Sequence, residues 1–191
     1  AMAILFCRSL PAVRSIALAG SAIQVVLSLV LFYLFNQERM VNESLMLFEQ
    51  NIVWFKTLNI NYHIGVDGIS VSMILLTAFV VLAGVLVSWK MPKATGGDGE
   101  MGREFFFLLM FLSLGAYGFF ISLDLFTLFF FLEVAVIPKF LLIGIWGSGK
   151  KEYAAMKLAL MLMGGSALVF VGLAGLYLNT YTATGLHTFD I

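Results

Sequence analysis

The sequence is poor in charged residues, cysteine and histidine, and each scarcity argues against a class of protein. Charged side chains make up 12% of the 191 residues and apolar ones 61%, against about 25% and 45–50% in soluble domains, so a soluble fold is not expected. The net charge is zero and no basic stripe is present to follow phosphates, so nucleic acid is not expected as a partner. Cys7 is the only cysteine, so it cannot form an internal disulfide, and it matches no metal-site spacing.

The apolar residues form long blocks, and five of these blocks are long enough to cross a bilayer core about 30 Å thick. Strand-type alternation is absent from them, which argues against a β-barrel. The sequence therefore predicts an all-α fold, a polytopic transmembrane helix bundle. The spans are predicted at about residues 15–35, 69–89, 105–123, 125–146 and 154–178.

The start of the sequence is apolar but too short to cross a membrane. Residues 1–6 are followed closely by Pro11, so we expect residues 1–13 to be the end of a preceding helix and a cytoplasmic turn. The transmembrane bundle is then expected over residues 14–191. The first residue is not Met and no signal-peptide layout is present, and we expect the native polypeptide to be longer.

Lysine and arginine are concentrated on one side of the predicted bundle, which the positive-inside rule assigns to the cytoplasm or its equivalent. These residues are Arg8, Arg14, Lys90, Lys93, Arg103, Lys150, Lys151 and Lys157. The opposite side has an external loop, residues 36–66, with Arg39 and Lys56. This loop is predicted to be solvated, with Trp54, Phe55 and Tyr62 at the membrane interface. A Gly-rich connection at residues 91–102 is predicted to be a flexible surface segment.

Glu133 is the charged residue that the pattern places deepest in the membrane. It lies eight residues into the fourth span, about 12–14 Å from the helix end and near the bilayer midplane. Ionisable groups at this depth are rare and usually mark an ion path. Burial favours the protonated carboxyl group and a nearby lysine favours the charged one, so a movable cation could make Glu133 hold or release a proton. The alternative is a protonated, hydrogen-bonded packing residue.

Two residues that follow Glu133 are secondary candidates. Pro138 leaves the carbonyl of Val134 without its helical donor, which either invites water beside Glu133 or only kinks the helix for packing. Lys139 lies about 120° around the helix and about 9 Å along it from Glu133, so the two should not pair. Lys139 either extends to the cytoplasmic interface or takes part in proton delivery.

Three further charged residues lie near the predicted span ends. Asp124, in the turn before the fourth span, is expected to be an N-cap or interfacial carboxylate rather than a buried relay member. Lys157, in the first turn of the last span, can extend to the cytoplasmic edge. Asp67 or Ser70 can cap the second span.

Small residues within the spans are expected to let helices approach closely. They are Gly115, Gly118, Gly164, Gly165, Ser166, Gly172 and Gly175. The two histidines, His63 and His187, lie outside the spans, which disfavours a membrane haem with two axial histidines.

Several segments together resemble the antiporter-like subunit M family (chain 4 type) of respiratory complex I, NADH:quinone oxidoreductase. In order they are GVDGIS (65–70), SWK (88–90), DLFTLFFFLEVAVIPKFLLIGIWG (124–147), YAAMKL (153–158), GGSALVFVGLAGLY (164–177) and the last loop with ATGLHTFDI. The resemblance covers most of the chain from about Arg14 onward. It implies a fourteen-helix family, of which this chain holds the end of helix 1 and helices 2 to 6.

The resemblance implies a role for Glu133. In the family a glutamate of helix 5 works with a lysine of helix 7 to drive proton translocation, and Glu133 matches the glutamate in position and context. The lysine has no counterpart in this sequence. The chain departs from the family at Leu132, where an aromatic residue is frequent, and at Lys139, where a neutral residue is frequent.

The function implied is that of a proton-translocating membrane-arm subunit of NADH:quinone oxidoreductase. No cofactor or metal is expected in this chain, because FMN, the iron–sulfur clusters and quinone would be bound by other subunits. Its partners would be other membrane-arm subunits, including neighbouring antiporter-like subunits, and the lipid of a bacterial inner membrane or an organellar energy-transducing membrane. The alternatives are a related subunit of a multisubunit sodium/proton antiporter or membrane-bound hydrogenase, and a structural membrane scaffold without transport.

Overall fold

The computed structural model describes residues 4, 9–41, 46–55, 60–90 and 102–184. Within them the chain forms five long helices and one two-stranded hairpin. In chain order the elements are α1 (Leu10–Arg39), β1 (Leu47–Phe55), β2 (Ile60–Val66), α2 (Gly68–Val87), a 3₁₀ turn (Ser88–Lys90), α3 (Gly102–Ile121), α4 (Leu125–Trp146) and α5 (Lys151–Thr184). Each of these five helices is long and apolar enough to cross a membrane. The predicted fold class, an all-α transmembrane bundle, is confirmed, and the chain is an integral membrane protein.

The first helix begins earlier than the sequence predicts. Residues 10–13, predicted to belong to a cytoplasmic turn, are helical because α1 begins at Leu10. Ser9 is the N-cap residue, and Pro11 lies within the first two positions of the helix, where its missing N–H is not needed and its fixed φ suits a helix. The predicted helix end at residues 1–6, apart from Ile4, the connection at 91–101 and the segment 185–191 lie outside the described residues.

The external loop is the main correction to the predicted architecture. Residues 36–66 are not a single loop, because α1 continues to Arg39 and residues 47–66 contain an antiparallel hairpin. In its register Asn51 lies opposite His63 and Ile52 opposite Tyr62. The strands form because β-branched and aromatic residues suit a pleated, half-buried surface. The alternation of apolar and polar residues in these short strands is a weak signal for β-structure beside the long apolar blocks of the spans.

The hairpin is packed against the bundle rather than extended into solvent. The indole of Trp54 meets the ring of Phe130 on α4 edge to face, with 6.4 Å between the ring centroids. The backbone N–H of Leu123 donates to the carbonyl of His63 at 2.9 Å, and Ile64 forms a bridge with Ser122. The hairpin therefore covers the segment that leads into α4.

Consecutive helices run in opposite directions and enclose two apolar clusters. The first cluster joins the start of α1, the end of α2 and the start of α3, and contains Ile4, Val13, Ala17, Val81, Val85, Phe105, Phe106 and Met110. The second joins the far end of α1 and the start of α2 to the hairpin, and contains Phe35, Leu47, Val66, Val71 and Ile74. The hairpin and the first cluster therefore lie at opposite ends of the bundle.

The start of α2 is capped as the sequence predicts. Asp67 Oδ1 accepts a hydrogen bond from the backbone N–H of Ser70 at 2.7 Å. This bond stabilises the charged carboxylate and lowers the pKa of Asp67 below its ordinary value of 3.8. The cap lies just outside the membrane-spanning part of α2.

Candidate functional site

Glu133 is the ninth residue of α4, about 12 Å along the helix axis from its start at Leu125. Its side chain is half-buried. The Oε1 atom is buried and makes no hydrogen bond to any residue that the structure describes. A buried polar atom left without a partner costs about 1–3 kcal/mol, so this carboxyl group is not satisfied by the local fold.

Helix α4 contacts α3 through two glycines. A methyl group at Gly115 would come within 2.9 Å of Ala135 Cβ, and one at Gly118 would overlap the ring of Phe131. The predicted close approach at these two glycines is confirmed. The α4 face that contains Phe131 and Ala135 is therefore filled by α3.

Glu133 lies on another face of α4, the one directed towards α5. At the ends of this face the ring of Phe129 contacts Phe170, with 5.6 Å between centroids, and Gly144 approaches Ala155. Glu133 is only about 40° around the helix from Phe129, because four residues turn 400°. The carboxyl group therefore belongs to the α4/α5 interface, away from the tightly packed glycines of α3.

The residues that follow Glu133 shape the same helix without pairing with it. Pro138 is fully buried, and α4 continues through it without a break, while the carbonyl of Val134 lacks the donor that a proline cannot supply. Lys139 is half-buried. Among the described residues Glu133 and Lys139 form no ion pair, in agreement with the angle between them.

Asp124 is confirmed as the N-cap of α4. Its Oδ1 accepts hydrogen bonds from the backbone N–H groups of Phe126 at 2.9 Å and Thr127 at 3.0 Å. The residue is 0% exposed, so it is more deeply buried than an interfacial carboxylate would be. Its second oxygen, Oδ2, makes no hydrogen bond within the described part of the chain. Thr127 then links this turn to the hairpin, since its hydroxyl donates to the carbonyl of Asn61 at 3.4 Å.

Lys157 is exposed and lies in the second turn of α5, not the first, because α5 begins at Lys151. Lys151 Nζ donates to the carbonyl of Ile145 at 2.7 Å. A lysine is a common partner for the free carbonyls at a helix C-terminus. The cationic residues between α4 and α5 are thus gathered at the end of α4, remote from Glu133.

Sequence reasoning missed two contributors to this region. The hairpin was missed, and with it the contact between Asn61 and Thr127. Ser166 was interpreted only as a small residue, yet it is 8% exposed on a helix whose side chains are mostly exposed. The available signal was that Ser166 is a polar residue at helical spacing from two apolar residues, Leu162 and Leu173.

Comparison with known proteins gives a family for the segment that contains Glu133. Residues 122–189 match the family described as NADH:quinone oxidoreductase/Mrp antiporter, TM. The chloroplastic NAD(P)H-quinone oxidoreductase chain 4 of Angiopteris evecta is 33% identical over 153 residues, covering 79% of this chain and 29% of the relative. The F(420)H(2) dehydrogenase subunit M of Methanosarcina mazei is 30% identical over 146 residues, covering 76% of this chain and 28% of the relative. The resemblance to the antiporter-like subunit M family is confirmed.

The same fold is also seen in a solved structure. A chain of the membrane-bound sulfane sulfur reductase, an archaeal respiratory membrane complex, superposes with a TM-score of 0.67 at 23% identity. The match covers 98% of this chain and 34% of that chain, and at this identity it shows the fold alone. The chain spans less than a third of the length of the two curated relatives.

Proposed function

We propose that this chain is part of a proton-translocating membrane-arm subunit of an NADH:quinone oxidoreductase. The observation that carries the proposal is Glu133, a carboxyl group with a buried, unpaired oxygen in the middle of a membrane-spanning helix. The relatives whose names include NAD(P)H-quinone oxidoreductase chain 4 support the choice of complex.

The proposed role of Glu133 is to take up and release a proton. Burial in a membrane favours the neutral carboxyl group, and an approaching cation favours the carboxylate. A lysine on a later helix, as in the family, would supply that cation by moving towards Glu133 and away from it. Lys139 is not suited to this part, because it lies on another face of α4.

The electron-transfer chemistry would take place in other subunits. FMN, the iron–sulfur clusters and quinone are proposed to be bound there, and this chain would contribute to proton movement only. Its proposed partners are the other membrane-arm subunits, including neighbouring antiporter-like subunits, within a bacterial inner membrane or an organellar energy-transducing membrane.

A second candidate is a subunit of a multisubunit sodium/proton antiporter or of a related respiratory complex. The family description includes Mrp antiporters, and the solved structure with the same fold is a sulfane sulfur reductase. Glu133 would have the same role in either assembly. Purification of the intact complex with its partner subunits distinguishes the two candidates, since only an NADH:quinone oxidoreductase contains NADH-oxidising subunits.

The test of the proton-carrying role is Glu133→Gln in the complete complex, reconstituted into vesicles. The amide keeps the shape and hydrogen-bonding capacity of the side chain and removes its titratable proton. We expect normal assembly with a loss of NADH-driven proton pumping of at least about tenfold. Glu133→Asp should have a milder effect.

Lys139→Met is the matched control on the same helix. Because Lys139 does not pair with Glu133, pumping in this variant should change less than about twofold. If Glu133→Gln assembled normally and pumped at the wild-type rate, Glu133 would be a packing residue and the structural-scaffold alternative would be favoured.

A further inference from the structure

Ser166 is the one polar residue among the buried side chains of α5, over the residues 151–180 whose burial the structure describes. The other buried residues of that stretch are Ala155 and Leu173. These three positions lie on one stripe along the helix. Ser166 is 11 residues and Leu173 is 18 residues from Ala155, and both separations are nearly whole numbers of helical turns. The stripe faces α4, since Ala155 contacts Gly144.

Two independent contacts place Ser166 level with Glu133. Starting from the contact between Phe129 and Phe170, four residues forward on α4 reach Glu133 and four residues back on α5 reach Ser166. Starting from the contact between Gly144 and Ala155, eleven residues lead to the same pair. Antiparallel helices with the same rise per residue keep such a register along their contact.

We propose that Ser166 is a positioning residue that hydrogen-bonds the carboxyl group of Glu133, directly or through one water, in both of its protonation states. A hydroxyl group can donate one hydrogen bond and accept two. The Ser166 hydroxyl donates to the carbonyl of Met163 at 3.0 Å, so its oxygen can accept a hydrogen bond from protonated Glu133. When Glu133 is charged, rotation of the hydroxyl lets Ser166 donate to the carboxylate instead.

This arrangement explains how the unpaired Oε1 of Glu133 is tolerated in the membrane. A serine that can exchange the donor and acceptor roles satisfies the carboxyl group without fixing its charge, whereas a backbone amide favours only the charged form. The nearest titratable group on the described part of the α5 stripe is Tyr177, eleven residues and about 16 Å along the helix from Ser166. Helix α3 meets α4 through Gly115 and Gly118. Lys139 is the nearest charge on α4 itself and points about 120° away.

The role of Ser166 rests on the proposed function of Glu133, so its test needs one measurement that does not depend on pumping. Infrared difference spectra of the complete complex, recorded from neutral to acid pH, identify the C=O band of protonated Glu133 by its loss in Glu133→Gln. We expect Ser166→Ala to shift this band to higher wavenumber and Ser166→Thr, which keeps the hydroxyl, to restore it. An unchanged band in Ser166→Ala would overturn the proposal.

Turnover gives the second measurement. Ser166→Ala should lower coupled turnover by roughly threefold to tenfold, the value of one hydrogen bond, and should move its pH profile. The same substitution in a Glu133→Gln background should have no further effect. The control is Ser21→Ala on α1, because Ser21 is fully buried and its hydroxyl donates to Leu18 at the same 3.0 Å.

The outcomes separate the two proposals. A band shift in Ser166→Ala together with wild-type pumping in Glu133→Gln would overturn the function of Glu133 and leave the hydrogen bond established. Loss of pumping in Glu133→Gln with an unchanged band and pH profile in Ser166→Ala would overturn only the role of Ser166. An effect of Ser166→Ala that persists in the Glu133→Gln background would make Ser166 a packing residue.

Discussion

Helix α4 has two carboxyl groups, nine residues apart, that the fold holds in different ways. Asp124 is 0% exposed and receives two hydrogen bonds from backbone N–H groups of its own helix. Glu133 is half-buried, and its Oε1 atom has no hydrogen-bond partner among the described residues. Each group has one buried oxygen without a partner in the described part of the chain, Oδ2 of Asp124 and Oε1 of Glu133, but only Asp124 is also held by two backbone donors at its other oxygen.

With the proposed role of Glu133, the difference means that burial alone would not identify a proton-carrying residue. Backbone amides are fixed donors, so they hold the Asp124 carboxyl group at the start of the helix. The buried Oε1 of Glu133 has no such fixed donor among the described residues, which leaves it free to gain a partner that moves. A carboxyl group with movable partners can change its charge during a reaction cycle.

The largest expected effect comes from making the same change at both positions. Glu133→Gln should reduce proton pumping by at least about tenfold, whereas Asp124→Asn should stay close to wild type. Asparagine is about as good an N-cap as aspartate, so the cap remains while the charge is removed. The measurement is proton uptake by vesicles that contain the assembled complex. Comparable losses in both variants would assign Asp124 to the proton path as well.

The next effect tests whether α3 fixes the position of α4 and thus of both carboxyl groups. Gly118→Ala should destabilise the α3/α4 contact by about 1–3 kcal/mol, because the new methyl group would overlap Phe131. Gly84→Ala is the matched control, since its methyl group would meet Leu109 at an ordinary 3.7 Å. Thermal unfolding in detergent compares the two variants. Equal stability would mean that α4 adjusts freely against α3.

Much of this fold can be predicted from the sequence, because long apolar blocks with few charges determine membrane-spanning helices. The depth of Glu133 and the capping by Asp124 follow from their distance to the span ends. The angle between Glu133 and Lys139 is also a local property of a helix. These predictions needed no knowledge of how the helices pack.

The remaining features depend on contacts between distant residues. The hairpin has short strands whose pattern is weak, and it is held partly by Trp54 packing on Phe130. The proposed pairing of Ser166 with Glu133 depends on the α4/α5 register, which no local pattern specifies. Likewise, Gly118 lies in a close contact with Phe131, whereas a methyl group added at Gly172 would meet nothing within 4 Å. Both are small residues in apolar spans.

A smaller effect is expected from removing the N-cap of α4. Asp124→Ala should lower the stability of the folded protein by about 1–2 kcal/mol, because the N–H groups of Phe126 and Thr127 lose their acceptor. Hydrogen exchange at the start of α4 should become faster, while exchange around Glu133 should be little changed. Equal acceleration along the whole helix would show that the cap and the site of Glu133 unfold together.

The smallest effect compares the buried cap, Asp124, with the half-buried cap, Asp67. The Ser70 N–H lowers the pKa of Asp67 below 3.8, so the charged carboxylate stabilises the folded state above the unfolded-state pKa. This contribution is lost as the pH falls through the lowered pKa of the folded state. Asp67→Asn should therefore be slightly less stable than wild type at neutral pH, and the difference should shrink below pH 3.8. Thermal unfolding of both proteins across this range checks the sign, with Asp67→Ala as a variant that lacks the cap at every pH. A difference between wild type and Asp67→Asn that stays constant down to acid pH would mean that the carboxylate charge at this cap contributes nothing.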